Sequence, residues 1–495
     1  MKHLIFTITS MLFSIGVFSQ QFDFYLNNSF ENELYDAIET DSTFEFVGMK
    51  KLNGFYESYY LKLSKTGVFI KDTVLAATTE RLFTGIKETN KGVVISEGGY
   101  YKGDGDVKIY YNYDFNSSIS IKIDSAKHFY AESIKLLNDS SLALLGFYID
   151  TSRFQNASFF NLNLNDTSYQ FFDISDPQFL PPQYIFDIIE HNGKKLISTY
   201  NVIYKNPTVW YNSSEIIQLN DSFQIDTAFD ISYSQNTFGN YQFNFFASLL
   251  SINQNHFMVS ARGINARNAS HAKPDDMAAI VMDTNYNEVS LNFYGLPDSS
   301  AKEANQNLSR YDSLPYVFIG GTENFIVRPG GFGPDTTLFM LTKADLLGNE
   351  IWTRYYSNNT NLFLRKVLAT SDGGALIFGS SYDPAGPDGF EQDVWIVKVD
   401  SNGNYQTTGI ADQQIPSTDF VFYPNPVVDE VHFRQVNQLR NYNLELFDIS
   451  GKKVLERKLT SSDETINTAN LNSGTFIYHL TDQKGNYASG KLIKK

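Results

Sequence analysis

The chain has 495 residues, 42% hydrophobic and 19% charged, with 39 Lys+Arg against 55 Asp+Glu for a net charge of −16 and no cysteine. Such a composition supports a large buried core and excludes a disordered tail or a collagen-like fibre. The acidic balance repels phosphate, so no nucleic-acid partner is expected, and the missing cysteines exclude disulfide scaffolds, thiolate metal sites and cysteine nucleophiles.

Lys2 and His3 precede an apolar run from Leu4 to Phe18, and Val17 and Ser19 place small side chains at −3 and −1 of a cleavage site. This is the pattern of a secretory signal peptide over residues 1–19, too short to span a bilayer, with a mature chain expected to start at Gln20. No later stretch reaches membrane-spanning length without charges, so no transmembrane segment is expected.

Within a propeller domain expected over residues 20–410, residues 30–405 read as one unit repeated seven times. A short apolar strand ending in a small residue recurs as Phe46-Val47-Gly48, Val94-Ile95-Ser96, Leu144-Leu145-Gly146, Leu196-Ile197-Ser198, Met258-Val259-Ser260, Phe318-Ile319-Gly320 and Ile377-Phe378-Gly379. Each is followed by a second apolar strand, and most of those by a turn rich in Asn, Asp and Gly, such as Asp283-Thr284-Asn285 or Asp400-Ser401-Asn402-Gly403. Repeats of this length with about four short strands are the signature of a propeller blade. One such sheet cannot cover both its faces, so blades must shield one another around an axis. The expected fold is all-β, a seven-bladed β-propeller, with six or eight blades also compatible with the weaker middle repeats. The small residue is expected where strands crowd near the axis, and the 41 Phe and 31 Tyr to fill the space between sheets.

The seventh repeat runs Ser371-Asp372-Gly373-Gly374, an apolar strand to Gly379, then Trp395-Ile396-Val397-Lys398-Val399-Asp400-Ser401-Asn402-Gly403-Asn404. It resembles the blade repeat of secreted bacterial propellers, and the sixth keeps its second half as Lys343-Ala344-Asp345-Leu346-Leu347-Gly348-Asn349. The seventh repeat offers only three strands. Phe22, Phe24 and Leu26, alternating with Asp23 and Tyr25, are expected to supply the fourth and so remove two open sheet edges.

A polar linker with Pro416, residues 411–418, leads to a separate module, residues 419–495, whose short alternating strands and evenly spaced turns predict a small immunoglobulin-like antiparallel β-sandwich. Tyr423-Pro424-Asn425-Pro426, the turn with Asp448, Gly451 and Lys452, the Leu471-Asn472-Ser473-Gly474 turn, and the basic end with Lys491, Lys494 and Lys495 follow in order. In these residues the module closely resembles the type A C-terminal sorting domain of the type IX secretion system, departing conservatively at Phe476. The resemblance implies passage through the periplasm, recognition by the outer-membrane translocon, and release or linkage at the cell surface. From Phe420 onward there are 10 Lys+Arg against 8 Asp+Glu, so a slightly basic tag follows acidic cargo.

Catalysis has little support. The seven histidines form no His-x-x-x-His pair, and no Gly-x-Ser-x-Gly elbow, Walker loop or dinucleotide fingerprint occurs, so no catalytic or cofactor-binding residue is expected. Two acidic, glycine-containing loops, with Asp104 and Asp106 and with Asp388 and Asp393, offer the oxygen ligands that calcium takes, without matching an EF-hand. The expected function is an exported binding or adhesion module for an extracellular glycan or protein. The alternatives are a hydrolase or lyase using two carboxylates in the axial funnel and a purely structural surface protein.

Overall fold

The computed structural model describes residues 21–26, 31–52, 54–75, 80–99, 106–121, 128–149, 155–174, 184–206, 209–231, 233–236, 239–265, 276–295, 301–323, 327–328, 331–332, 337–358, 360–382, 392–405, 420–435, 441–448, 452–482 and 487–495. Residues 1–19, the linker 411–418, Asp104, Asp388 and Gly451 lie outside them. The chain divides into two compact units, Met1–Gln406 and Thr407–Lys495, and every regular element among the described residues is a β-strand.

The first unit is a series of antiparallel sheets, numbered here in chain order. The first holds Asn32–Glu39, Thr43–Leu52, Phe55–Ser64 and Phe69–Leu75, and the second starts at Arg81–Thr89. The third, fourth and fifth begin with His128–Asn138, Tyr184–His191 and the two paired strands Tyr233–Asn236 and Gly239–Asn253. The sixth begins with Ala301–Ser309, and the seventh with Asn361–Ala369, followed by Ala375–Tyr382 and Gln392–Val399. Among the described residues each has four strands paired in chain order, apart from the extra strand in the fifth and the seventh's fourth strand, which comes from the N-terminal side. A parallel pairing of Gln306 with Lys366 joins the sixth and seventh. The insertion in the sixth carries a small hairpin, Val327–Arg328 with Gly331–Phe332.

Hydrophobic burial welds these sheets into a closed ring. Each neighbouring pair shares its own apolar core: Val47, Tyr60, Phe83 and Ile95 join sheets one and two, and Leu144, Phe160, Val94 and Ile109 join two and three. The series continues around to Phe318, Phe339, Ile377 and Trp395 between six and seven. It closes with Leu34, Phe46, Phe378 and Ile396 between seven and one. The first strands of the sheets touch one another in the same cyclic order, which makes them the inner wall of a β-propeller. Tyrosines reinforce the joints from one sheet to the next, as Tyr356 donates its hydroxyl hydrogen to the Gly403 carbonyl at 2.9 Å and Tyr316 to that of Gly373 at 2.8 Å.

The seventh sheet is completed from the N-terminal side. Phe22–Leu26 pairs antiparallel with Gln392–Val399, from Phe22 opposite Lys398 to Leu26 opposite Val394, and the Phe22 ring packs 5.9 Å from Phe44 of the first sheet.

Crowding near the axis explains the small residue of each repeat. A Cβ on Gly48, Gly146 or Gly379 would lie 1.9, 2.0 or 1.9 Å from the carbonyl oxygen of Glu33, Tyr130 or Phe363 on the adjoining inner strand. Where serine replaces glycine, its hydroxyl joins the wall: Ser260 donates to the Ala278 carbonyl at 3.1 Å and accepts from Asn307 Nδ2 at 3.1 Å. Gly379→Ala is therefore expected to lower stability by at least about 2 kcal/mol, because backbone rather than a flexible side chain must yield. A urea midpoint unchanged from the parent would refute this.

The recurrent Asp turns have a backbone role. Asp283, Asp345 and Asp400 each accept the N–H groups two and four residues ahead, as Asn220 and Ser64 do in their own sheets. The third residue after each adopts φ of 59 to 79°, taken by Gly67, Gly348 and Gly403 but also by Phe223 and Tyr286.

The second unit is a β-sandwich. A three-stranded sheet, Phe420–Tyr423, Glu430–Gln435 and Asp463–Asn467, faces a four-stranded one formed by Tyr442–Phe447, Lys453–Leu459, Gly474–Asp482 and Tyr487–Lys494. Phe433, Val431, Leu444, Leu480 and Leu492 form the core between them.

Candidate binding site on the axis

The inner strands do not run in simple register. Each shifts near its middle, at Leu34/Asp36, Phe83/Gly85, Ala131/Ser133, Ile185/Asp187, Asn244/Ser248, Glu303/Leu308 and Leu364/Lys366, and the third and fifth shift again further on. Bulges of this kind re-aim side chains, and here they bring distant charges together.

Asp36, just after the first bulge, is 0% exposed. Its Oδ1 accepts the Ala37 N–H and the Lys366 ammonium; its Oδ2 accepts the Ile86 N–H and the Lys87 ammonium, so it ties the inner strands of sheets seven, one and two. Asp187 repeats the device. It accepts the Ile188 N–H at 2.9 Å and the Leu249 N–H at 2.9 Å, with Lys135 Nζ at 2.9 Å.

The environment acts on the two ends of the Asp36–Lys366 pair in different ways. Burial opposes ionisation of Asp36, but the charges of Lys366 and Lys87 and their hydrogen bonds outweigh it and hold the carboxyl down at about 2. Burial also disfavours the Lys366 ammonium, which has one carboxylate against repulsion from Lys87 and Lys135, and its pKa is pushed down to about 7. Lys135 belongs to the third sheet and Lys366 to the seventh, so their repulsion acts across the ring.

Beside this cluster, Arg365 pairs with Glu33 at 2.9 Å and lies 5.9 Å from the Tyr35 ring centre. Glu132 occupies the bulge of the third inner strand. The residue is exposed, and desolvation of its carboxyl pushes the pKa up to about 7. None of these residues stood out in the sequence, where an inner-strand Asp or Lys reads like any other charge. The usable signal was a charge flanked by apolar residues ahead of a repeated strand, as in Leu34-Tyr35-Asp36-Ala37.

Of the acidic-loop residues, Asp106 and Asp393 are described, and their contacts lie elsewhere. Asp106, in the second sheet, receives Arg81 Nη2 on its carbonyl at 2.9 Å and Ser120 Oγ on its carboxylate at 3.4 Å. Asp393, in the seventh, receives the Tyr25 hydroxyl at 2.8 Å. Among the described residues no group of three or more His, Asp or Glu gathers as a metal-holding set.

In the second unit the structure joins two segments that are far apart in sequence. Asn425 Nδ2 donates to the Lys491 carbonyl at 2.8 Å and its Oδ1 accepts the Ile493 N–H at 2.9 Å, so one side chain pairs with the last strand as a neighbouring strand would. Val427 extends the contact by a parallel bridge to Lys494. Tyr423 stacks on His432 at 5.2 Å, Asp448 Oδ1 accepts the Lys452 N–H at 3.1 Å, and Gly474 opens the penultimate strand. Lys491 and Lys495 are exposed, while Lys494 is buried 3.8 Å from Asp429. Asn425→Ala is expected to remove hydrogen-exchange protection from the Ile493 amide and to cost the sandwich about 1–2 kcal/mol; unchanged exchange at Ile493 would refute it.

The architecture thus defines an all-β protein, a propeller followed by a small sandwich. Residues 421–495 match the family model described as the secretion system C-terminal sorting domain. The sandwich is therefore the sorting domain of the type IX secretion system, which carries the chain to the cell surface or extracellular space. No curated protein matches the sequence. Similar solved structures include the β-propeller domain of the Trilobed protease from Pyrococcus furiosus, at 10% identity and TM-score 0.41, covering 74% of this chain and 94% of that one. Puromycin hydrolase gives 8% identity and TM-score 0.47, over 90% of this chain and 58% of that one. Pyrococcus horikoshii acylaminoacyl peptidase gives 9% and 0.42, over 83% and 58%. Likenesses this remote carry no argument about chemistry. No helix among the described residues is long and apolar enough to cross a membrane.

Proposed function

We propose that the exported propeller is a binding module that engages an extracellular glycan or protein through its axial region, with the sorting domain as its address. The observation behind this reading is the state of the axial carboxylates. Asp36 and Asp187 are each neutralised by lysine and accept two backbone N–H groups. A carboxylate held this way braces strands and is poorly placed to give or take a proton. The test is a glycan and protein array on the full mature chain, run beside hydrolase assays; saturable binding without turnover supports the reading, and turnover without binding refutes it.

One observation favours the hydrolase alternative. Glu132, with its carboxyl raised to about 7, is suited to general-acid work at neutral pH. Hydrolysis by this route needs a second carboxylate within about 5 to 10 Å. If an activity exists, Glu132→Gln should abolish it while leaving the melting temperature in place.

A further inference from the structure

We propose that the axis of the ring is an anion site, in which Lys87, Lys135 and Lys366 hold a carboxylate or sulfate group carried by an extracellular ligand. The assignment of a carrier rests on the binding function proposed above; the anion site itself rests on charge, hydrogen bonding and access.

Three ammonium groups from sheets two, three and seven meet two carboxylates, and the adjacent Arg365 is already matched by Glu33. Among the described residues, three lysines thus share two carboxylates, in a place where an unbalanced charge is costly. The carboxylates have little left to offer. Asp36 accepts four hydrogen bonds, two on each oxygen, and Asp187 accepts its two N–H groups besides Lys135. The ammonium groups do have capacity. Each carries three protons, and among the described residues Lys366 donates to Asp36, Lys135 to Asp187, and Lys87 to Asp36 and its neighbour's carbonyl at Ile86.

Access is provided as well. The side chains of Lys87 and Lys135 are 17% and 19% exposed, against 7% for Lys366, so solvent reaches the first two while the third forms the floor. Lys87 and Lys366 meet on the two oxygens of Asp36, and Lys135 lies close enough for its charge to act on Lys366. An oxyanion there would take the spare donors, and such charge-assisted bonds are the strong kind.

The experiment is a thermal-melt titration of the full mature chain with sodium sulfate and with sodium glucuronate, each against sodium chloride at equal ionic strength. The site predicts a rise of about 1–3 °C beyond chloride at saturation. It also predicts loss of that increment in Lys135→Met and, as a second variant on another sheet, in Lys87→Met. A response to sulfate alone identifies a sulfate ester, one to glucuronate alone a uronate, and either supports the site. No increment over chloride, or an increment retained in both variants, overturns it. An array without hits beside a genuine sulfate response would sink the adhesion reading and leave the anion site standing.

Discussion

Asp36→Ala is expected to lower the stability of the propeller by about 3–5 kcal/mol, the range for breaking a buried ion pair by removing one partner. The substitution leaves Lys366 buried without its counter-ion and strands the Ile86 and Ala37 N–H groups. Urea unfolding followed by tryptophan fluorescence measures it. A loss below about 1 kcal/mol would show that the cluster is not a structural brace. The double variant Asp36→Leu with Lys366→Met should recover much of the loss, since an apolar pair of similar volume avoids desolvating charge altogether.

The same pair sets a pH dependence. Asp36 falls from an ordinary 3.8 to about 2 in the folded state, so the unfolded chain binds the proton first as the solution is acidified. The stability it contributes is complete above about pH 4 and is lost as pH falls towards 2, a decline of about 2 kcal/mol. Lys366 stays protonated in both states over that window and leaves the slope alone. Its own effect lies between about 7 and 10.5, where the unfolded chain holds a proton that the folded one has released, so stability rises with pH there. Asp36→Ala should flatten the acid limb.

The second large effect concerns closure. Deleting residues 20–28 removes the strand that pairs with Gln392–Val399, empties the Phe22 site between Phe44 and its neighbours, and exposes two sheet edges. Phe22→Ala alone should cost about 3–5 kcal/mol, as for other buried aromatics, and the deletion at least as much, with a tendency to aggregate through the open edges. Calorimetry decides it, and a melting temperature unmoved by the deletion would refute ring closure by this strand.

Much of this architecture could be read from residues close together in the chain. Alternation in Phe22, Phe24 and Leu26 marked a strand in need of a partner, and the glycines at 48, 146 and 379 marked close approach of backbone. Asp400 and Asn404 bracket a turn whose hydrogen bonds span four residues. The Tyr423 to Pro426 segment and the basic end identified the sorting domain. The axial cluster was illegible in the same text, because Asp36 and Lys366 stand 330 positions apart and neither lies in a motif.

Sequence by itself determined the strands, their turns, the small residues that let them crowd, and the address at the end, since each depends on backbone conformation set by a few neighbours. Only the tertiary structure decided which charges meet. The inner strands of the first unit had to close on one axis before Lys87, Lys135 and Lys366 could share two carboxylates, and the sandwich of the second had to form before Asn425 could serve as a strand for Lys491 and Ile493. Electrostatic pairing depends on distance in space, which no spacing along the chain encodes.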